Sequence, residues 1–319
     1  MNVLVTIFAF ISNIVLCLAI TNGTNPSVAA TMPPSWSANA TLSSSPRRPR
    51  RLQGDCRRCI SFYAHADTNY AKEERERFPL QVKRIPNDGD FIVHLGDLKG
   101  TDECKSEKPY SLVADAYLQH ANVPVFVVPG DNDWYDCGGK AARQRGWRLF
   151  EKYFLHFYSR SGNGLSWTVD HQANRAENFA FYRKRILFLG VHIVGGDIKN
   201  EKEWNDRLKD NLHWTKASLE KYSRANVVVI FAHAAPTKKH QYFFDGLSKI
   251  ANNRTNKEID FLYLHGDHHR WKEDRPFDAK NIKRVMLDQG AIADPTHIQV
   301  CSCPNTQTFE FTQRPLSKK

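Results

Sequence analysis

Residues 127–139 read VVPGDNDWYDCGG. The apolar run Val125 to Val128 stops at Pro129-Gly130 and gives way to Asp131, Asn132 and Asp133, with Trp134 behind them. Asp, Asn and Gly after a strand are ordinary turn residues. Alone, the stretch does not separate a polar turn from a metal-holding loop. The same event recurs. FIVHLGDLKG stops at Gly96-Asp97, CISFYAHADTNY at Asp67, VVVIFAHAAP at His233, and IDFLYLHGDHHRW at His265-Gly266-Asp267-His268-His269. Each run is short, β-branched or aromatic, and too apolar to face water on either side, as in a parallel sheet covered by helices. In such sheets ligands gather outside the carboxyl ends of the strands. Five strands each delivering Asp, Asn or His at that end is what a metal cluster on a rigid scaffold requires.

Between these strands, apolar residues return at helical spacing. Phe78, Val82 and Ile85 mark a helix over 71–85, with Pro79 breaking its start. Val113, Ala116 and Tyr117 mark another over 109–122, and 140–158 reads as a third. A long helix over 202–222 carries Trp204, Leu208, Leu212 and Leu219 on its buried stripe. ENFAFYR and RILFLGVHIVG read as strands, and 283–311 is β-rich. Alternating strands and helices followed by more strands imply an α/β, four-layer sandwich: two mixed β-sheets flanked by helices.

The chain has 319 residues, and its start reads differently from the rest. Residues 3–20 are apolar, and the CLA triplet at 17–19 offers a cleavage point, so 1–20 reads as a secretory signal peptide. An uncleaved signal anchor is the alternative, since the run approaches bilayer-spanning length. Residues 21–54, rich in Ser, Thr and Pro and then Arg, cannot bury enough apolar surface to fold and read as a disordered linker. Its RRPRRLQ end is either a solvated basic cluster or a processing site at Arg48 to Arg51. Residues 55–319 then form one domain long enough to bury a good core.

Asn22, Asn39 and Asn253 each open an Asn-X-Ser/Thr sequon, which suits a secretory route. Of the seven cysteines, six lie beyond Cys17: Cys56, Cys59, Cys104, Cys137, Cys301 and Cys303. An even number in a secreted chain points to disulfides. Cys56-X-X-Cys59 precedes a strand rather than opening a helix, unlike a redox pair. The formal net charge is +11, four of it from the arginines at 47, 48, 50 and 51. The remainder suits an anionic substrate. No nucleic-acid motif is present, no stretch after the leader reads as a membrane span, and the sequence fixes no oligomeric state.

Taken in order, the strand-end residues resemble the calcineurin-like metallophosphoesterase family. Its blocks are Asp-X-His, Gly-Asp, Gly-Asn-His-Asp/Glu, a lone His after a strand, and Gly-His-X-His. Asp67, Asp97, His233 and His269 stand at matching positions, and GDNDWYDC, GVHIVGG and LHGDHHRWKEDRP look like a secreted subgroup. The resemblance runs from about Cys56 to Arg275 and implies two divalent metal ions at the strand ends. The implied ligands are Asp67, Asp97, Asp131, Asn132, His233, Asp267 and His269, with Asp97 bridging. The chain departs from the pattern in places. Asn69 replaces the first His, Asp131-Asn132 replace Asn-His, and Asp267 replaces the first His of the last block. The third block also reads shifted by one, with Asn132 as ligand and Asp133 at the His position.

An oxygen-rich ligand set favours manganese, iron or magnesium over zinc. Such ions lower the pKa of water and clamp phosphoryl oxygens during in-line displacement. The imidazole missing at Asn132 is the one that lies near the leaving group, which leaves His265 and His192 as candidate proton donors beside Asn132. If the loops after Asp97 and Asp131 converge, Cys104 and Cys137 are placed to form a disulfide. The expected function is a secreted, metal-dependent phosphoric-ester hydrolase acting on an anionic phosphorylated substrate. The alternative is the same fold with a weak or inactive site, acting as a binding protein.

Overall fold

The protein is described from a computed structural model covering residues 58–253, 255–304 and 306–313. The leader at 1–20, the linker at 21–54, the Arg48 to Arg51 cluster, the sequons at Asn22 and Asn39, and Cys56 lie outside the described residues. Residues Gly54–Lys319 form one compact unit.

That unit opens with β1 (Cys59–His65), α1 (Lys72–Arg84), β2 (Phe91–His94), α2 (Lys108–His120) and β3 (Val125–Val127). A single π-helical turn, Asp131–Tyr135, precedes α3 (Gly139–Phe154). Then come β4 (Asp170–Gln172), β5 (Arg175–Arg183), β6 (Ile186–Gly190), α4 (Glu201–Lys221) and β7 (Val227–Phe231). The chain ends with α5 (Gln241–Asn252), β8 (Asp260–His265), β9 (Lys272–Asp274), β10 (Ile282–Met286), β11 (Thr296–Cys301) and β12 (Phe309–Gln313).

The strands form two mixed sheets, ordered β12-β11-β1-β2-β3 and β4-β5-β6-β7-β8-β10-β9. The runs that looked doubly buried are the parallel ones: β1, β2 and β3 in one sheet, β6, β7, β8 and β10 in the other. Antiparallel strands close three of the four edges, and the parallel β3 forms the fourth.

Side-chain alternation along β1 shows how the layers are glued. Ile60, Phe62 and Ala64 point into a core shared with Phe181, Phe188, Phe231 and Leu264 of the other sheet. Phe62 stacks on Phe91 at 4.6 Å and meets Phe188 and Phe231 edge-on. Tyr63, on the opposite face, packs with Phe78, Val82, Tyr117 and Phe150 of the helices α1, α2 and α3. On the second sheet, Val228, Ile230 and Tyr263 pack against Trp204 and Leu208 of α4 and Phe243 and Leu247 of α5. Helix, sheet, sheet, helix is the four-layer order.

Two local expectations change. Pro79 does not break the start of α1; it lies inside the helix, whose second half carries the buried Phe78 and Val82. Packing of those two side chains outweighs the lost backbone hydrogen bond. The helix α5 was not expected, because Gly246 interrupts its pattern. That glycine is needed there: a Cβ would lie 2.3 Å from Leu212 Cδ2 on α4.

Candidate metal centre

All five polar strand ends converge at one rim of the sandwich. After β1 and β2, the chain turns so that the Asp67 N–H bonds the Gly96 carbonyl and the Thr68 N–H bonds the Asp97 carbonyl. The two sheets are stitched at the same rim. The Asp267 N–H, after β8, donates to Asp67 Oδ2 at 3.0 Å. His233 Nδ1, after β7, lies 2.9 Å from the Leu95 carbonyl after β2.

These turns are tight. Asp67, Asn69, Asp97, Asp267 and His269 all adopt left-handed backbone conformations, with φ between 56° and 83°. Asp, Asn and His tolerate that region better than other side chains, and such strain concentrates at functional sites. Glycines make the close approach: a Cβ on Gly130 would lie 2.2 Å from Asp97 Oδ1, and one on Gly266 2.3 Å from Asp67 Oδ2.

Two groups of convergent ligand atoms result, Asp67-Asp97-His233 and Asp131-His233-Asp267, each with its atoms within 4.8 Å of one another. His233 joins them. Its Nε2 lies 2.7 Å from Asp131 Oδ1 and 3.3 Å from Asp97 Oδ1. The Leu95 carbonyl only accepts, so Nδ1 carries the proton and the Nε2 lone pair points at carboxylate oxygens. Neither Nε2 nor Asp131 Oδ1 is placed to make a proper hydrogen bond, although both are buried. A lone pair facing carboxylates is stable only with a cation between them, a proton or a metal ion. The residues fit a metal.

Electrostatics say the same. Burial pushes the Asp97 carboxyl well above its ordinary range, with Asp131, Asp133 and Asp67 adding and His233 opposing. Asp267 is raised by burial and by Asp131. Burial alone would lower His233, but Asp97, Asp131 and Asp67 together raise it well above an ordinary imidazole. Without a metal ion, the cluster recruits protons to do the work of cations.

Asn132 and Asp133 of the third block face different partners. The Asp133 carboxylate is consumed by backbone donors: the N–H groups of Leu98 at 2.8 Å, Asp97 at 3.1 Å and Gly130 at 2.7 Å. It pins two loops together and stands outside both groups of convergent ligand atoms. Asp131 is the residue aimed at His233. Asn132 instead braces Asp97, its N–H donating to Oδ1 at 2.9 Å and its Nδ2 to Oδ2 at 2.6 Å. His269 reaches the rim less closely, with Nε2 3.5 Å from Asp67 Oδ1.

The remaining two candidates stand elsewhere. His192 accepts from Trp134 Nε1 at 3.0 Å through Nε2 and gives its Nδ1 proton to Glu177 at 2.7 Å, so both ring nitrogens are engaged. His265 is buried with Nδ1 against the Gly266 carbonyl, and burial, aided by Arg284, pushes its imidazole down to about 3. The ring is therefore neutral at neutral pH, and its one N–H is held by the Gly266 carbonyl.

Tyr70 was not anticipated. Its hydroxyl donates to Asp97 Oδ2 at 2.7 Å and lies 3.4 Å from Asp67 Oδ1, in the first ligand group. Asn69, where the family places an imidazole, turns its amide to the Leu98 carbonyl and the Thr68 hydroxyl. Lys99 was also missed; its buried ammonium bonds the Asn132 carbonyl at 2.6 Å and stabilises the π turn. The disulfide Cys104–Cys137 ties the turn after Asp97 to the turn after Asp131, and Cys59–Cys301 joins β1 to β11.

The model of the calcineurin-like phosphoesterase family matches residues 65–281, which hold every strand end described above. The chain belongs to that family. No curated protein matches its sequence. Among solved structures, it is similar to GAP50, the anchor in the inner membrane complex of Plasmodium, at 13% identity and TM-score 0.47, covering 83% of this chain and 90% of that one. It is also similar to 5'-nucleotidase from Candida albicans, at 12% identity and TM-score 0.49, covering 79% of this chain and 50% of the other. The NAD nucleotidase of Haemophilus influenzae matches at 11% identity and TM-score 0.45, over 80% of this chain and 49% of its own. At such identities no substrate passes from those proteins to this family member.

Proposed function

We propose that the protein is a metal-dependent phosphoric-ester hydrolase holding two divalent ions. The observation that carries this is the buried His233 Nε2, 2.7 Å from Asp131 Oδ1 and 3.3 Å from Asp97 Oδ1, where the two groups of convergent ligand atoms meet. Asp67, Asp97 and His269 would hold one ion, with Tyr70 beside them; Asp131, His233 and Asp267 would hold the other. Asp97, whose two oxygens can face different cations, is the bridge. Seven of these side-chain donors are oxygens or imidazoles, which favours manganese, iron or magnesium. The bound ions would polarise the phosphoryl oxygens and supply a nucleophile at neutral pH.

This chain's own residues do the rest. The Leu95 carbonyl holds His233 in its ligand tautomer, Asp133 keeps the two acidic loops in register, and Asn132 and Tyr70 fix the plane of the Asp97 carboxylate. Asn132, its amide engaged with Asp97, has no proton to give a leaving group. Hydrolysis should therefore favour esters whose leaving group needs none, such as aryl phosphates. Secretion remains part of the proposal: leader 1–20, linker 21–54 and phosphoesterase domain 55–319. The two disulfides and the exposed Asn253 support an oxidising, glycosylating route, and among the described residues no helix is long and apolar enough to cross a membrane.

A second reading has its own observation. Amides stand at 69 and 132 where the family has imidazoles, and both are turned inward to protein partners. That suits a binding protein with a slow or silent site. Metal analysis of purified protein, with hydrolysis of 4-nitrophenyl phosphate across a pH series in manganese, separates the two. Two ions per chain with turnover supports the hydrolase; bound ions without turnover supports the binder; no bound metal overturns both.

A further inference from the structure

The helix α3 carries more than its core face. Gly146, Leu149, Phe150 and Phe154 are buried on one side. Lys140, Arg143, Gln144, Trp147 and Arg148 recur at the i, i+3, i+4, i+7, i+8 spacing of a second face. That face does not simply meet solvent. It forms one wall of a cavity of about 700 Å³, closed on the other side by Trp134, Tyr135 and the Lys199-Asn200 corner.

Charge and shape are both lopsided there. Among the described residues, Lys140, Arg143 and Arg148 make no ion pair, whereas exposed Lys202 and Lys216 each find an acid four residues on. Glu203 is the one carboxylate lining the cavity, and Arg207 already holds it at 2.8 Å. Lys199 faces Asp136 at a loose 3.8 Å. Three unpaired cations in one concavity repel each other, and an anion relieves that repulsion. The aromatic part is rigid. Trp134 and Trp147 meet at 63° with centroids 5.2 Å apart, and His192, held by Glu177, stacks parallel to Trp147 at 5.2 Å. Two partly exposed indoles in a fixed corner beside guanidinium groups bind a planar ring better than an alkyl chain.

The cavity shares a turn with the metal centre, although no candidate ligand lines it. Trp134 belongs to the same π turn as Asp131 and Asn132. On the other side, a Cβ on Gly196 would touch the Asp136 carboxylate, and one on Gly195 would lie 3.0 Å from Asp267 Oδ1.

We infer that this cavity is the specificity site for the non-reacting part of the substrate, taking a planar heteroaromatic group that carries additional negative charge, the class of nucleoside polyphosphates. The inference rests on the hydrolase reading but is tested without it. Binding of ADP, adenosine and pyrophosphate is measured by tryptophan fluorescence on the full chain in EDTA, where no metal takes part. ADP should bind at least tenfold tighter than either half. Arg143→Gln with Arg148→Gln should weaken ADP and pyrophosphate tenfold or more while leaving adenosine unchanged, and Trp147→Leu should weaken ADP and adenosine together. ADP no tighter than pyrophosphate, or ADP binding untouched by the paired arginine substitutions, overturns the inference. Metal content and 4-nitrophenyl phosphate turnover on the same unaltered protein report separately on the hydrolase.

Discussion

Replacing Asp97 with Asn tests the metal centre most sharply, because the surroundings of that carboxylate are fully specified. Oδ1 accepts the Asn132 N–H and faces His233; Oδ2 accepts the Tyr70 hydroxyl and the Asn132 amide. An Asn side chain must put an NH2 group where one oxygen was. Whichever way it turns, the NH2 meets a donor, so one or two hydrogen bonds are lost, about 1–3 kcal/mol. Removing a negative charge from among Asp67, Asp131 and Asp267 offsets part of that cost. Metal-free stability should thus change by no more than about 2 kcal/mol. Metal binding should change far more. At a metal concentration a hundredfold above Kd, a bound ion stabilises the fold by about 2.7 kcal/mol, which for a domain of this size is a melting shift of roughly 5–10 °C. Asp97→Asn should lose that shift, at least one ion per chain, and about a thousandfold in hydrolytic rate, equivalent to roughly 4 kcal/mol. Metal analysis, melting with and without manganese, and turnover on matched samples decide it. A variant that keeps its ions and its melting shift refutes the bridging role, and with it the cluster.

Tyr70→Phe should weaken metal binding about 10–100-fold, the usual effect of removing a group that orients a metal ligand; titration of manganese by calorimetry measures it, and an unchanged affinity would assign the phenol no part in the centre. Cys104→Ser with Cys137→Ser opens a loop spanning 33 residues and should cost roughly 3–4 kcal/mol in denaturant unfolding, with loss of metal if those loops frame the site. pH gives an independent check. His233 is raised above its ordinary value, so its contribution to metal-free stability is complete below about pH 6.5 and is lost as pH rises toward its folded pKa; Asp97, also raised, acts in the same direction. Metal binding must displace those protons. Between about pH 6.5 and 8.5 the metal-free melting temperature should fall while the manganese-induced shift grows, and parallel curves with and without metal would contradict the cluster.

Much of this was legible in the chain itself, for a physical reason. A strand buried on both faces must be apolar throughout, so the first polar residue after it stands out, and five such residues in a parallel sheet must share one rim. Asp67, Asp97, Asp131, His233 and Asp267 stand out in this way, and the structure brings them to one rim, with the loops carrying Cys104 and Cys137 joined beside them. Contacts that depend on how two rims face each other were not legible. Tyr70 reaches Asp97 across 27 positions of sequence, and nothing in its local pattern separates it from a surface tyrosine. His192 was a candidate proton donor because the imidazole expected at 132 is missing. The sequence does not show that Trp134 and Glu177 occupy both its nitrogens. Nor does it show that the Asp133 carboxylate is spent on three backbone N–H groups.

On the hydrolase reading, the departures at 69 and 132 describe a rebuilt site rather than a decayed one. A site released from holding metal has no reason to keep its costs. Each left-handed backbone at Asp67, Asp97, Asp267 and His269 costs on the order of 1 kcal/mol or more, and burial, with neighbouring carboxylates adding to it, raises Asp97 and Asp267. One apolar substitution at Asp131 or Asp267 would relieve the repulsion. Instead the glycines that let backbone approach these carboxylates remain, and the changed positions are compensated. A phenol stands between Asp67 and Asp97 where the imidazole at 69 is missing, and the backbone N–H and side-chain amide of Asn132 each hold one oxygen of the Asp97 carboxylate. Both positions now carry an amide, which gives no proton to a leaving group. A cluster that keeps its cation demand and loses its acid predicts a bias toward esters with good leaving groups: turnover of 4-nitrophenyl phosphate should exceed that of an alkyl phosphate by several orders of magnitude at saturating manganese. Equal rates on the two would mean that another group supplies the proton.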